Sequence, residues 1–281
     1  MSVELPEAKI FAEQLNKELR DKIITSFDLQ DYERLQRIGM VNREVRDFKQ
    51  LLKGRIDKVV SRGNVVHVSL DNGSNLILGL EYGGRINYHS QKNIKALPRY
   101  HLKIGFDDGA WLTVRLTSMG IIKAVRDSEL NSSYLYRRDF SKKAFSPLDK
   151  EFTLERFSQV LSENSRMLKS VLVGKYSVIV GLSNSAFQDI IYRARLHPKK
   201  KASDLTSIEN LVLYEAIKFV LKERIRLNGK DQFYDIYGNQ GRYKPAMGSN
   251  MKKMKCPLCN EPIEKMSLGG GTVYYCPVCQ K

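Results

Sequence analysis

The first 255 residues contain no cysteine, and the whole chain has one tryptophan, eight prolines and far fewer acids than bases. Without cysteines over that length, a disulfide-stapled secreted scaffold is excluded. With only 8 prolines and 19 glycines in 281 residues, no collagen-like repeat or low-complexity tract is present. No apolar run reaches the ~18 residues of a membrane-spanning helix. The acidic opening Met-Ser-Val-Glu-Leu-Pro-Glu-Ala-Lys has no hydrophobic leader core. These absences point to a soluble, cytoplasmic protein. What is present supports folding: 42% of the residues are hydrophobic, and at ~150 residues per domain the length suits about two domains.

The shortage of acids is the most informative. Against 47 Lys+Arg stand 31 Asp+Glu, a formal charge of +16. It is not a tail, because residues 1–150 carry +7 and residues 151–281 carry +9. A polyanionic partner is implied, although positive charge also serves solubility and does not choose between nucleic acid and a membrane surface.

The four cysteines lie in the last 26 residues as Cys256-Pro-Leu-Cys259 and Cys276-Pro-Val-Cys279, with 16 residues between the pairs. Two such knuckles can give one tetrahedral metal ion four thiolates. The intervening Gly269-Gly-Gly271 and alternating Thr272-Val-Tyr-Tyr275 suit a hairpin that returns the second knuckle to the first. Two disulfides are the alternative, and they fit poorly in a chain with no secretory leader. The pattern predicts a structural zinc ribbon whose metal supplies on the order of 10 kcal/mol of folding free energy.

Along the chain, Phe11, Leu15, Leu19 and Ile23 mark one face of a helix over Glu7–Ile24 that Pro6 can open. Strand-like runs follow at Ile56–Ser61, Val65–Leu70, Asn75–Leu80, His101–Phe106 and Trp111–Leu116, with turn signals Asp71-Asn-Gly73 and Asp107-Asp-Gly109. They predict an antiparallel sandwich. Helical patterns then cover Thr153–Ser162, Met167–Val173, Ser185–Leu196 and Ser207–Leu227, the last with a Thr206/Glu209 capping box and an Asn228-Gly229 stop. The expected organisation is α+β: a helix plus antiparallel β-sandwich over 1–145, a helical domain over 146–248 and the ribbon over 249–281.

Arg193, Arg195, Lys199, Lys200 and Lys201 form a run without an acid, able to grip phosphates or simply to complement a helix C-terminus. Asn184, after Gly181-Leu-Ser, is placed to cap a helix and leave first-turn amides open to a phosphate.

Val3-Glu-Leu-Pro-Glu7 opening a helix, a β-rich middle, Gly181-Leu-Ser-Asn184 followed by Leu196-His-Pro198, and the terminal ribbon together resemble the formamidopyrimidine-DNA glycosylase and endonuclease VIII (Fpg/Nei) family. The resemblance covers nearly the whole chain. It implies a β-sandwich and a helix–two-turn–helix domain flanking a DNA cleft, base excision by attack of the N-terminal amine on the sugar, and AP lyase activity through a Schiff base. It carries over Glu4 and Glu7 as acid–base groups, and Asn184 with the basic run as phosphate contacts. An α-amino group suits the task because its pKa is near ~7.7–8.0.

The departures are equally specific. Val3 stands where the family has its proline nucleophile, with Ser2 ahead of it, so the nucleophile would be the Ser2 amine, or else a water assisted by Glu4. A misplacement of ~1 Å can already cost ~100-fold. Asn64 replaces the family's strand lysine, and Gly271 replaces the ribbon arginine. The arginine–phenylalanine pair that fills the gap of the flipped base is missing around Thr117–Ile121, where Met119 is the wedge candidate; Tyr82 falls at another intercalating position or packs. Two functions follow: a monomeric DNA glycosylase acting on damaged duplex DNA, and a non-catalytic binder of damaged or structured DNA or RNA.

Overall fold

In the computed structural model, which describes residues 3–90, 98–141 and 144–281, a Glu4/Glu7 capping box and Pro6 start helix α1 (Leu5–Leu19). The helix stops short of the expected Ile24. Asp21 takes a left-handed φ of 67° and its N–H donates to the Ile56 carbonyl at 2.8 Å, releasing Ile24 into strand β1 (Ile24–Leu29).

The chain then forms α2 (Tyr32–Arg37), β2 (Ile56–Arg62), β3 (Val65–Leu70), β4 (Ser74–Gly79), β5 (Gly84–His89), β6 (Leu102–Phe106), β7 (Trp111–Leu116), β8 (Ile121–Arg126) and α3 (Tyr134–Phe140). Two four-stranded antiparallel sheets result, in the orders β1-β6-β7-β5 and β2-β3-β4-β8. Valine, isoleucine and leucine from both sheets share one core with Phe11, Leu15 and Leu19 of α1, so the helix is buried along its apolar stripe. This is the expected sandwich, enlarged by β1, β5 and β8. The helical part contains α4 (Leu154–Ser162), α5 (Leu168–Leu172), α6 (Asn184–Arg193) and α7 (Ser207–Arg226), and the ribbon hairpin is β9 (Glu264–Leu268) with β10 (Gly271–Tyr275).

These elements gather into two packing units that cut across the three sequence regions. One is Met1–Ser141 with Leu227–Arg242; the other is Lys142–Arg226 with Tyr243–Lys281, so ribbon and helices share a unit. Leu227–Arg242 joins the sandwich because Phe233 and Ile236 enter its core, with Phe233 and Phe11 centroids 4.8 Å apart. Asp235 pins the segment by accepting from Gln14, Asn228 and Asn239 side-chain amides. Gly229 makes the turn possible: it has φ 89°, and a Cβ there would lie 2.5 Å from the Phe233 ring.

Candidate functional site

Glu4 and Glu7 begin as local helix chemistry. Glu4 is the N-cap of α1, its backbone N–H donates to Glu7 Oε2 at 3.1 Å, and its own carboxylate accepts from the N3 amide. A first-turn acid is ordinarily a solvated group favoured by the helix dipole. Here both are interior, Glu4 at 1% and Glu7 at 0% exposure. The returning segment adds what the sequence reading missed: Lys230 Nζ lies 3.5 Å from Glu4 Oε2, and its N–H donates to Glu7 Oε1 at 3.2 Å. The only sequence signal for Lys230 was the Asn228-Gly229 turn before it. Buried charges persist only when paired and hydrogen-bonded, and such clusters concentrate at working sites.

Val3 is itself buried, with its N–H donating to the Leu80 carbonyl at 3.3 Å. Ser2 lies outside the described residues. Near Leu80, Tyr82 and Met119 are 60% and 55% exposed, and the Tyr82 N–H donates to the Met119 carbonyl at 3.0 Å, setting the two side by side at neighbouring loop tips.

Asn64 sits in the two-residue β2–β3 turn, where Gly63 has φ 59° and a Cβ would strike the Asp139 carboxylate at 2.4 Å. That approach brings α3 onto the turn. Arg138 Nη2 donates to Asn64 Oδ1 at 2.5 Å, Nη1 to Glu81 at 2.6 Å and Nε to Asp139 at 2.6 Å, and the Asn64 N–H donates to Asp139 at 3.0 Å. A guanidinium from another element thus meets the Asn64 side chain. Burial alone would lower its pKa, but Asp139 and Glu81 raise it further and keep it charged.

In the second unit, Asn184 does not cap α6. Ser183 does, its Oγ accepting from the Ser185 N–H at 3.2 Å, and Asn184 is the first helical residue. Freed from capping, Asn184 Nδ2 donates to the Thr272 carbonyl of the ribbon hairpin at 2.8 Å, while its Oδ1 is buried without a hydrogen-bond partner among the described residues. Lys169, on α5, reaches the same turn and donates to the Leu268 carbonyl. A Cβ on Gly271 would lie 3.5 Å from both Lys169 Nζ and Asn184 Nδ2. Lys169 is 5% exposed, and burial lowers its pKa. Nothing in its sequence context marks it.

The basic run divides. Arg193 is spent inside the fold: Nε donates to Asp189 at 3.0 Å, Nη2 to the Tyr243 hydroxyl at 3.4 Å, and the guanidinium covers the Phe219 ring at 4.9 Å. Lys200 pairs with Glu209, a partner nine residues downstream. Arg195, Lys199 and Lys201 are exposed and make no side-chain ion pair among the described residues.

Cys256, Cys259, Cys276 and Cys279 bring their Sγ atoms within 4.8 Å of one another, Cys259 to Cys276 at 3.4 Å and Cys256 to Cys279 at 3.8 Å. Thiolates ~2.3 Å from a tetrahedral ion stand about 3.8 Å apart, so the donor set fits one metal ion. The Tyr192 hydroxyl lies 3.3 Å from Cys256 Sγ, tying the ribbon to α6.

Known proteins match this arrangement over its whole length. The profile of the formamidopyrimidine-DNA glycosylase N-terminal domain matches residues 3–117, and that of the H2TH domain of the same enzyme matches residues 144–233. The formamidopyrimidine-DNA glycosylases of Halalkalibacterium halodurans and Desulforamulus reducens are each 28% identical to the chain over 286 residues, with 99% of both partners covered. Among solved structures, Lactococcus lactis Fpg in complex with abasic-site DNA superposes with a TM-score of 0.83 at 21% identity and 99% coverage of each chain. Thermus thermophilus MutM (Fpg) gives 0.80 at 23%, covering 99% of this chain and 98% of that one. With a capped N-terminal helix on a β-sandwich, an H2TH segment and a four-thiolate hairpin in this order, the chain belongs to the formamidopyrimidine-DNA glycosylase and endonuclease VIII family.

Proposed function

We propose that this protein is a DNA-repair glycosylase that takes damaged duplex DNA, with Glu4 as its acid–base carboxylate and Lys230 as the cation paired with it. The observation that carries this is the interior Glu4–Lys230 pair at the N-terminal end of α1. A buried ion pair is poor value for stability alone, since its desolvation cost rivals its attraction; poised beside a sugar, the same carboxylate can take the proton of an attacking nucleophile. Two nucleophiles are compatible with the residues. Attack by the Ser2 amine on C1′ breaks the C1′–base bond, the base leaving with a proton, and opening of the C1′–O4′ bond with proton transfer from the amine to O4′ then gives an imine, which permits strand cleavage by β-elimination; attack by water, its proton taken by Glu4, releases the base and leaves an intact abasic strand. Arg195, Lys199, Lys201 and Asn184 are assigned to the DNA backbone, and Tyr82 with Met119 to the gap left by the flipped base. The four cysteines are assigned to a structural zinc ion, whose thiolate set suits the reducing cytoplasm.

The test is borohydride trapping on duplexes bearing an abasic site or an oxidised base, with base release measured in parallel. An adduct mapped to Ser2 supports the amine route, and base release without an adduct supports the water route. Intact-mass measurement complements it, because a retained Met1 eliminates the Ser2 amine. The second reading, a non-catalytic binder of damaged DNA, is favoured by one observation: Val3, at the family nucleophile position, is packed in the core with its N–H bonded to Leu80. Tight lesion binding with neither adduct nor base release over a broad lesion panel would select it.

A further inference from the structure

The sandwich unit has a second polar feature that the glycosylase reading leaves unused. Beside β8 and the 3-10 helix Val45–Leu51 lies a cavity of about 590 Å3, and its wall carries Arg43, Arg46, Lys123 and Arg126 against two acids, Asp47 and Glu129. It is separate from the Glu4–Lys230 cluster. Arg126 pairs with Ser74 at one end of the β4–β8 ladder, whereas Val3 bonds to Leu80, just beyond the Gly79–Ile121 end. Five residue steps of ~3.4 Å place those ends about 17 Å apart.

No ion pair joins the charged side chains of this cavity among the described residues. Lys123 is half-buried and its ammonium donates to the Val41 carbonyl. Arg126 Nη1 donates to the Asn72 carbonyl at 3.1 Å and to Ser74 Oγ at 2.9 Å, both neutral acceptors. Arg43 and Arg46 are exposed and make no side-chain hydrogen bond or ion pair among the described residues. The acids are turned to other donors: Asp47 accepts from Asn42 Nδ2 at 3.2 Å and Glu129 from the Arg126 N–H at 3.1 Å. Burial pushes the Lys123 pKa down, the nearby Arg43 pushes it further, and Asp47 offsets part of this. Four cations against two carboxylates in a concave site leave a net positive charge that favours an anion, and guanidinium forks fit phosphate oxygens two at a time.

We propose that this cavity binds a phosphate-bearing small molecule of nucleotide size, with Arg43, Arg46 and Lys123 drawing the phosphate. Size supports the class: the volume lies within the ~300–1,000 Å3 of small-molecule sites, far more than one inorganic phosphate fills. Asp47 and Glu129 retain acceptor oxygens for sugar hydroxyls.

The test is isothermal titration of the full-length, zinc-loaded protein with ADP as the probe, and with pyrophosphate as competitor. Saturable one-to-one binding is expected. The Arg43→Ala, Arg46→Ala double variant should weaken it about tenfold or more, since each exposed guanidinium loses charge-assisted bonds, while Arg195→Ala, Lys199→Ala leaves it unchanged. Both Arg43 and Arg46 are exposed, so the double variant should keep the wild-type melting midpoint. No saturable ADP binding, or equal binding in the double variant, overturns the proposal. So does a result in which duplex DNA, and not ADP, loses affinity in the double variant, because the cavity wall would then be contacting a strand backbone.

Discussion

Replacing Lys230 by methionine removes one charge from the Glu4–Lys230 pair while keeping most of the stem's packing volume. At 3.5 Å, the attraction is about 5 kcal/mol for an effective dielectric constant of ~20. Desolvation of both ions cancels much of it, so the intact pair adds little net stability. The variant is a different case: it retains the desolvation cost of Glu4 without the compensating cation, and losing one partner of a buried pair costs about 3–5 kcal/mol. Trp111, the single tryptophan, lies on β7 in the sandwich, so its fluorescence reports this unit without interference from the other. A loss of 3 kcal/mol should lower the thermal midpoint by roughly 6–12 °C for a unit of this size. Glu4→Gln keeps an acceptor for the helix cap, and combining it with Lys230→Met should cost less than the sum of the singles by about 0.5–3 kcal/mol. A Lys230→Met loss below about 1 kcal/mol, or strict additivity in the double variant, would show that the two groups do not act as a pair.

Four further outcomes are expected. Gly271→Arg should fold, because the nearest atoms to its new Cβ lie at ordinary contact distance, and it should steepen the log–log salt dependence of duplex binding by about 0.9, one added phosphate contact. The triple change Arg195→Ala, Lys199→Ala, Lys201→Ala should flatten that slope by roughly 2.7, whereas Arg193→Ala, which breaks an internal pair with Asp189, should leave the slope unchanged and lower stability by about 1–3 kcal/mol in chemical denaturation. Removing the metal with a chelator should release one zinc per chain, measured with a colorimetric dye, and unfold the ribbon, since on the order of 10 kcal/mol of binding energy is lost. Burial holds the pKa of all four histidines below the ordinary imidazole value; the unfolded chain then takes up protons that the native state refuses, and stability should fall as pH drops from about 7 to 5. His67→Phe should reduce that fall in a Trp111 melting series, and a rise in wild-type stability over the same range would contradict the assignment.

What could be seen in the sequence was whatever depended on neighbours along the chain. Alternation located five of the eight sandwich strands, the Thr206/Glu209 capping box opens α7, and cysteine spacing brought four thiolates together. Strands β1, β5 and β8 escaped because Ile24–Leu29, Gly84–His89 and Ile121–Arg126 are specified mainly by the strands they pair with. The partners of the site residues were out of reach for the same reason. Lys230 meets Glu4 across 226 residues and Lys169 meets the Leu268 carbonyl across 99, separations that no periodicity encodes. The basic run shows the opposite error: five adjacent cations look equivalent in sequence, yet Asp189 and Glu209 take two of them.

Asn64 and Gly271 therefore have different surroundings. Beside Asn64, Arg138 pairs with Glu81 and Asp139, and Arg62 donates to the Asp139 and Ser141 carbonyls, so two guanidinium groups and two carboxylates share the turn. A phosphate there would meet a cation already spent. At Gly271 the arriving cation is Lys169, whose bond to the Leu268 carbonyl leaves its charge unneutralised among the described residues, beside an Asn184 oxygen with no donor. Among the described residues Lys169 bonds a neutral carbonyl in the ribbon unit, whereas at the β2–β3 turn Arg138 is paired with carboxylates. On the function proposed above, the Glu4–Lys230 pair would serve the glycosidic chemistry and the unit that carries the ribbon would grip DNA.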